Sequence, residues 1–129
     1  MVPAAADRGS LRIVVAEDNR DTAMGHLTLL QMAGFHVVAV AFDGQTALAS
    51  IREQQPHVAI LDIALPDMDG YEVARHVRES HITQPKLVAV TGLAADADRK
   101  DAAAAGFDAF LAKPIDWSQL EALLASYLA

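Results

Sequence analysis

Five positions in this chain carry side chains suited to one kind of chemistry. They are the carboxylates of Glu17, Asp18 and Asp62, the hydroxyl of Thr91 and the ammonium of Lys113. Three carboxylates brought together repel one another, and the arrangement is costly unless a cation sits among them. A hard oxygen site with few protein ligands suits Mg²⁺, which keeps several waters and shares itself with phosphate. Lys113 offers a compact positive charge for a phosphate oxygen, and Thr91 offers a hydroxyl donor. A carboxylate is a recognised nucleophile in phosphoryl transfer. Taken singly each residue is ordinary, and an isolated aspartate at a strand end is most simply a turn cap. Their joint meaning depends on whether the fold brings them to one place.

The elements that must do so read as five repeats of strand then helix. The run 11–16 is short and apolar and ends at Glu17-Asp18-Asn19. A helical pattern through Ala23, Leu27 and Leu30 follows, with Gly34 as its stop. Residues 35–41 are a second strand, and Asp43-Gly44 opens a helix carrying Ala47, Leu48 and Ile51 on one face, ended by Pro56. Residues 57–62 are the third strand. After the loop 66–70, Asp69 is a plausible N-cap for a helix through Tyr71, Val73, Ala74 and Val77. Residues 86–91 are the fourth strand, 95–105 an alanine-rich helix stopped by Gly106, and 108–112 the fifth strand. Leu120, Leu123, Leu124 and Leu128 mark a last amphipathic helix.

Strict alternation of this kind implies an α/β fold with a parallel sheet and helices on both faces. Right-handed crossovers then favour the doubly wound, flavodoxin-like strand order 2-1-3-4-5. In such sheets ligands bind at the carboxyl ends of the strands, where strand order reverses. Glu17-Asp18, Asp62, Thr91 and Lys113 all stand at such ends.

Composition bounds the function. A chain of 129 residues makes one domain, and 53% apolar residues suffice for a core. A net charge of −7 argues against direct nucleic-acid binding. There are no cysteines and hence no thiolate chemistry. The apolar runs are too short to span a membrane, and residues 1–10 read as a flexible leader without a signal-peptide core. The cytoplasm is the expected location. His26, His36, His57, His76 and His81 show no metal-ligand spacing.

Over about residues 11–128 the sequence resembles the receiver domain of two-component response regulators and hybrid histidine kinases. The family's acidic pair matches Glu17-Asp18, and its phosphoacceptor matches Asp62 within 61–70. Its hydroxyl residue matches Thr91, followed by a small Gly92. Its lysine–proline pair matches Lys113-Pro114, whose bond is generally cis in the family. The aromatic switch position, three residues before the lysine, matches Phe110. The resemblance implies a receiver over 11–129 that accepts a phosphoryl group on Asp62 from a phosphohistidine of a histidine kinase or histidine phosphotransfer protein. It is a switch or relay rather than an enzyme in the ordinary sense. It implies Mg²⁺, with Mn²⁺ as a substitute, held by Asp18, Asp62, the backbone carbonyl of Ala64 and, through water, Glu17. Thr91 and Lys113 would bind phosphoryl oxygens. Thr91 drawn inward would let Phe110 turn in and rearrange the face of helix 4, strand 5 and helix 5, where a downstream protein docks.

Three features depart from the family's commonest pattern or set its tuning. The acidic pair is Glu-Asp where many members have Asp-Asp, and the switch aromatic lacks the hydroxyl of tyrosine. Ala64 and Leu93, two residues after the aspartate and the threonine, are apolar and cannot position a water, so slow spontaneous dephosphorylation is expected. Two other readings compete. One is a pseudo-receiver that serves only as an interaction module, against which the intact site residues argue. The other is a small flavodoxin-like enzyme or nucleotide binder, disfavoured by the missing Gly-rich loop after the first strand. Since the sequence stops with the last helix, no output domain is expected.

Overall fold

The computed structural model describes residues 7–92 and 96–128. Its elements are β1 (Arg12–Ala16), α1 (Arg20–Met32), β2 (His36–Ala41), α2 (Gly44–Gln54), β3 (Val58–Asp62), α3 (Gly70–Glu79), β4 (Lys86–Thr91), α4 (Asp96–Ala105), β5 (Ala109–Ala112) and α5 (Trp117–Ser126). The strands pair in parallel in the order β2-β1-β3-β4-β5. This is the α/β doubly wound architecture expected from the alternation.

Successive side chains of a strand point to opposite faces, and the core divides accordingly. Val14, Ala16, Ala59, Leu61, Leu87 and Ala89 face a layer built from α2, α3 and α4, including Ile51, Val73, Val77 and Ala102. Ile13, Val15, Val58, Ile60, Val88 and Val90 face the other layer, with Leu30 of α1 and Leu120 and Leu124 of α5. β3 is buried along its whole length. A strand covered on both faces reads as an unbroken apolar run, and only its last residue, Asp62, is charged.

Four strands start one residue later than the sequence suggests, at Arg12, His36, Val58 and Ala109. The residues before them still make backbone hydrogen bonds, as His57 and Asp108 donate to the carbonyls of Arg12 and Leu87, but they precede the regular ladder. Asn19, Asp43, Asp69 and Asp116 each accept a hydrogen bond from the N–H three residues on, so α1, α2, α3 and α5 start at side-chain caps. Gly106, at φ +107, ends α4 where the sequence places the stop. Ala95, the expected first residue of that helix, lies outside the described residues, as do residues 1–6 of the expected leader. Residues 8–10, its last part, form a 3-10 turn anchored to the fold. Arg8 pairs with Glu121 of α5 at 2.6 Å, donates to the carbonyl of Ala33 and lies 4.9 Å from the centre of the Phe35 ring. No helix among the described residues is long and apolar enough to cross a membrane.

Candidate functional site

The ladder register brings the ends of the strands together. Ala16 pairs with Leu61, so Glu17 lies beside Asp62. Asp62 pairs with Val90, which places Thr91 one step beyond. Thr91 pairs with Ala112, and the N–H of Lys113 donates to the carbonyl of Thr91 at 2.7 Å. All five residues singled out by chemistry therefore stand at one sheet edge, and the Lys113–Pro114 peptide bond beside them is cis.

The start of α3 is pressed against the same strand end. Gly70 donates its N–H to the carbonyl of Ile63 at 2.9 Å. A Cβ on Gly70 would lie 2.7 Å from the carbonyl oxygen of Asp62 and 2.8 Å from Cα of Ile63. Only a residue without a side chain allows so close an approach. The Asp69-Gly70 pair thus caps α3 and packs it on Asp62 and Ile63 at the end of β3.

Glu17, Asp62 and Thr91 are each only 4% exposed and are the buried polar side chains among the described residues. Burying polar groups is costly without partners, and here partners are supplied. Lys113 Nζ donates to Asp62 Oδ2 at 2.6 Å and lies 3.2 Å from both Glu17 oxygens. The backbone N–H of Ala64 donates to Asp62 Oδ1 at 2.9 Å. Asp18 is exposed, and one oxygen from each of Glu17, Asp18 and Asp62 lies within 4.8 Å of the others.

Two buried carboxylates beside one ammonium do not ionise alike. Burial, followed by the hydrogen bond and charge of Asp62, raises the Glu17 carboxyl to about 7. Burial pushes Asp62 upward too. Hydrogen bonds from Glu17, Lys113 and the Ala64 N–H, and the charge of Lys113, outweigh it and hold Asp62 below the usual carboxylate range. Burial works against the charge of Lys113, but its bond to Asp62 keeps the ammonium more firmly protonated than usual. Near neutrality Asp62 is therefore ionised, Lys113 is charged, and Glu17 shares in holding a proton. An ionised carboxylate with an ammonium beside it has the chemistry to attack an electrophilic phosphorus.

Some neighbours of the site carried no signal in the sequence. A cleft of about 500 Å³ between α1 and the segment after β5 is lined by Thr22, His26, Leu29, Ile115 and Trp117 as well as Glu17 and Lys113. Burial and then the charge of Lys113 lower the pKa of His26. These residues meet only through the fold. Phe110 stands apart from the carboxylates, in β5 opposite Ala89, half-buried. Leu93 lies outside the described residues, while Ala64 is exposed.

Comparison with known proteins agrees with this geometry. The family model described as the response regulator receiver domain matches residues 13–125. The chain is 36% identical over 125 residues to the transcriptional regulatory protein TrcR of Mycobacterium tuberculosis, covering 95% of this chain and 47% of that protein. It is 37% identical over 118 residues to the transcriptional regulatory protein TctD of Salmonella typhimurium, covering 92% and 52%. The chain thus spans about half the length of these curated relatives. Among solved structures it is similar to the receiver domain of a sensor histidine kinase from Pseudomonas aeruginosa, determined with a magnesium ion coordinated in the active site cleft. That likeness has a TM-score of 0.82 at 29% identity over 92% of this chain and 97% of that one. A response regulator of the LuxR family from Staphylococcus aureus gives a TM-score of 0.84 at 27% identity, covering 92% and 99%.

Proposed function

Because the chain belongs to the response regulator receiver family of two-component systems, we propose that it is a phosphoacceptor whose Asp62 takes a phosphoryl group from a phosphohistidine. The donor is a histidine kinase or a histidine phosphotransfer protein. The observation that carries the reading is the state of Asp62. It is buried, kept ionised and paired with Lys113 at 2.6 Å, with two further carboxylates at hand.

The donor set suits magnesium. It consists of hard carboxylate oxygens, gathered from one buried nucleophile, one exposed aspartate and one glutamate. Asp18, Asp62, the backbone carbonyl of Ala64 and, through water, Glu17 would hold it, and it would supply charge neutralisation for the phosphoryl oxygens. The remaining steps belong to the chain. A carboxylate oxygen of Asp62 attacks phosphorus, the P–N bond to the donor imidazole breaks, and its electron pair stays on that nitrogen. Lys113 pairs with a phosphoryl oxygen in the product, and the Thr91 hydroxyl donates to another. Thr91 and Phe110 then carry the change to the face of α4, β5 and α5, where a downstream protein reads it.

The exposed methyl group of Ala64 supplies nothing to orient a water. This supports a long-lived acyl phosphate, decaying over minutes or longer. Decay within seconds after removal of the donor would contradict it. The reading itself is tested by incubating the protein with Mg²⁺ and acetyl phosphate and weighing it intact. The expected gain is one phosphoryl group, absent in Asp62→Asn and absent when EDTA replaces Mg²⁺.

A further inference from the structure

Phe110 lacks a hydroxyl, so no hydrogen bond can hold its ring in either of two packings. The structure supplies another polar handle. Arg99, on the exposed surface of α4, lays its guanidinium 5.1 Å from the centre of the Phe110 ring. A groove of about 190 Å³ runs between α4 and β5 at this point. Ala102, Ala103 and Ala109 are part of its lining. Arg99 and Phe110 line the same groove. The ring is half-buried against the α2–α4 core layer, with its other side under the cation.

We propose that Arg99 is a positioning residue that latches Phe110 in the packing that goes with an unphosphorylated Asp62. The inference rests on the reading of Phe110 as the switch position. A ring turned inward toward Thr91 leaves the guanidinium behind on the α4 surface. The contact is therefore made in one packing and lost in the other. An interaction present in only one of two states biases the equilibrium by its own strength. At an exposed site a cation–π contact amounts to a bias of about two- to five-fold. Linkage makes the effect reciprocal. Phosphorylation weakens the latch, and removing the latch favours the phosphorylated packing. Arg99 thus sets how much of the population stays off, in a chain where a tyrosine hydroxyl is not available for the task.

The test is a titration with beryllofluoride in Mg²⁺, a mimic of the acyl phosphate, on wild type, Arg99→Ala, Arg99→Lys, Phe110→Leu and the Arg99→Ala/Phe110→Leu double variant. Arg99→Ala replaces an exposed helical residue by a better helix former, so the fold is preserved. It is expected to bind the mimic about two- to five-fold more tightly than wild type. Arg99→Lys keeps a cation and is expected to stay closer to wild type. In the Phe110→Leu background, where no ring remains, Arg99→Ala is expected to change nothing. Unchanged or weaker binding by Arg99→Ala overturns the latch. So does a gain that persists without the ring, because that would be a general effect of surface charge. Failure of wild type itself to bind the mimic overturns the phosphoacceptor reading, and the latch with it.

Discussion

At the scale of the residue, Glu17 and Asp62 show what sequence can and cannot say about a site. Both were legible as candidates because they end strands that must lie side by side. Which of them keeps a proton was not legible, since it depends on burial and on the position of Lys113. The difference has consequences for stability. Below its ordinary value of 4.5 Glu17 is protonated folded and unfolded, and it makes no difference. Between 4.5 and about 7 the unfolded chain releases the proton while the folded one holds it, so stability falls as pH rises. Asp62 has the opposite sign. Held below its ordinary 3.8, it adds stability above that value, and the contribution is lost on acidification. Glu17→Gln is therefore expected to stabilise the metal-free protein by about 1–3 kcal/mol at pH 8 and by little at pH 4. It is also expected to weaken Mg²⁺ binding. Urea unfolding in EDTA at the two pH values, with a parallel Mg²⁺ titration, measures both. A loss of stability at pH 8 would show that the ionised Glu17–Lys113 contact outweighs the cost of burial.

At the scale of the element, the alternation of strand and helix was readable because apolar runs of five or six residues are bounded by Asp, Asn, Gly and Pro. Asp43 and Asp69 were recognisable as helix starts, while Asn19 and Asp116 cap α1 and α5 without having been singled out. The clamp formed by Arg78 was likewise invisible. Its guanidinium ties the carbonyls of Gly106 and Pro85 and the carboxylate of Asp108, joining α3 to the loops before β4 and β5. Nothing in the spacing of residues 78, 85, 106 and 108 announces that meeting. The role of Gly70 also needed the structure, because the atoms it must avoid belong to Asp62 and Ile63, well before it in the chain. Gly70→Ala forces α3 away from the end of β3, with an expected cost of about 1–3 kcal/mol. Thermal unfolding checks the cost, and the acetyl phosphate reaction should slow with it. A variant that is destabilised but phosphorylated at the wild-type rate would show that α3 does not position Asp62.

At the scale of the whole molecule, sheet order followed from a few general rules, because four crossovers of one hand leave little choice. The cleft beside α1 did not, since Thr22, His26 and Trp117 meet only after the chain has wound around the sheet. The molecule carries 17 acidic against 10 basic residues, and it concentrates three carboxylates at one edge with one lysine among them. Such a site stores repulsion that a divalent cation relieves. Mg²⁺ at about 100 times its dissociation constant is expected to stabilise the fold by about 2.7 kcal/mol, seen as a rise in unfolding temperature. Asp18→Asn should blunt that rise. An equal rise in both proteins would place the stabilising ion elsewhere.

The central claim is that Asp62 receives the phosphoryl group from a histidine. Transfer from a radiolabelled phosphohistidine kinase, or from a phosphotransfer protein, tests it most directly, with wild type and Asp62→Asn side by side in Mg²⁺. Rapid labelling of wild type by at least one donor, abolished in Asp62→Asn, is the result predicted. Labelling that survives Asp62→Asn, or no labelling of wild type by any histidine donor of its host, would contradict it.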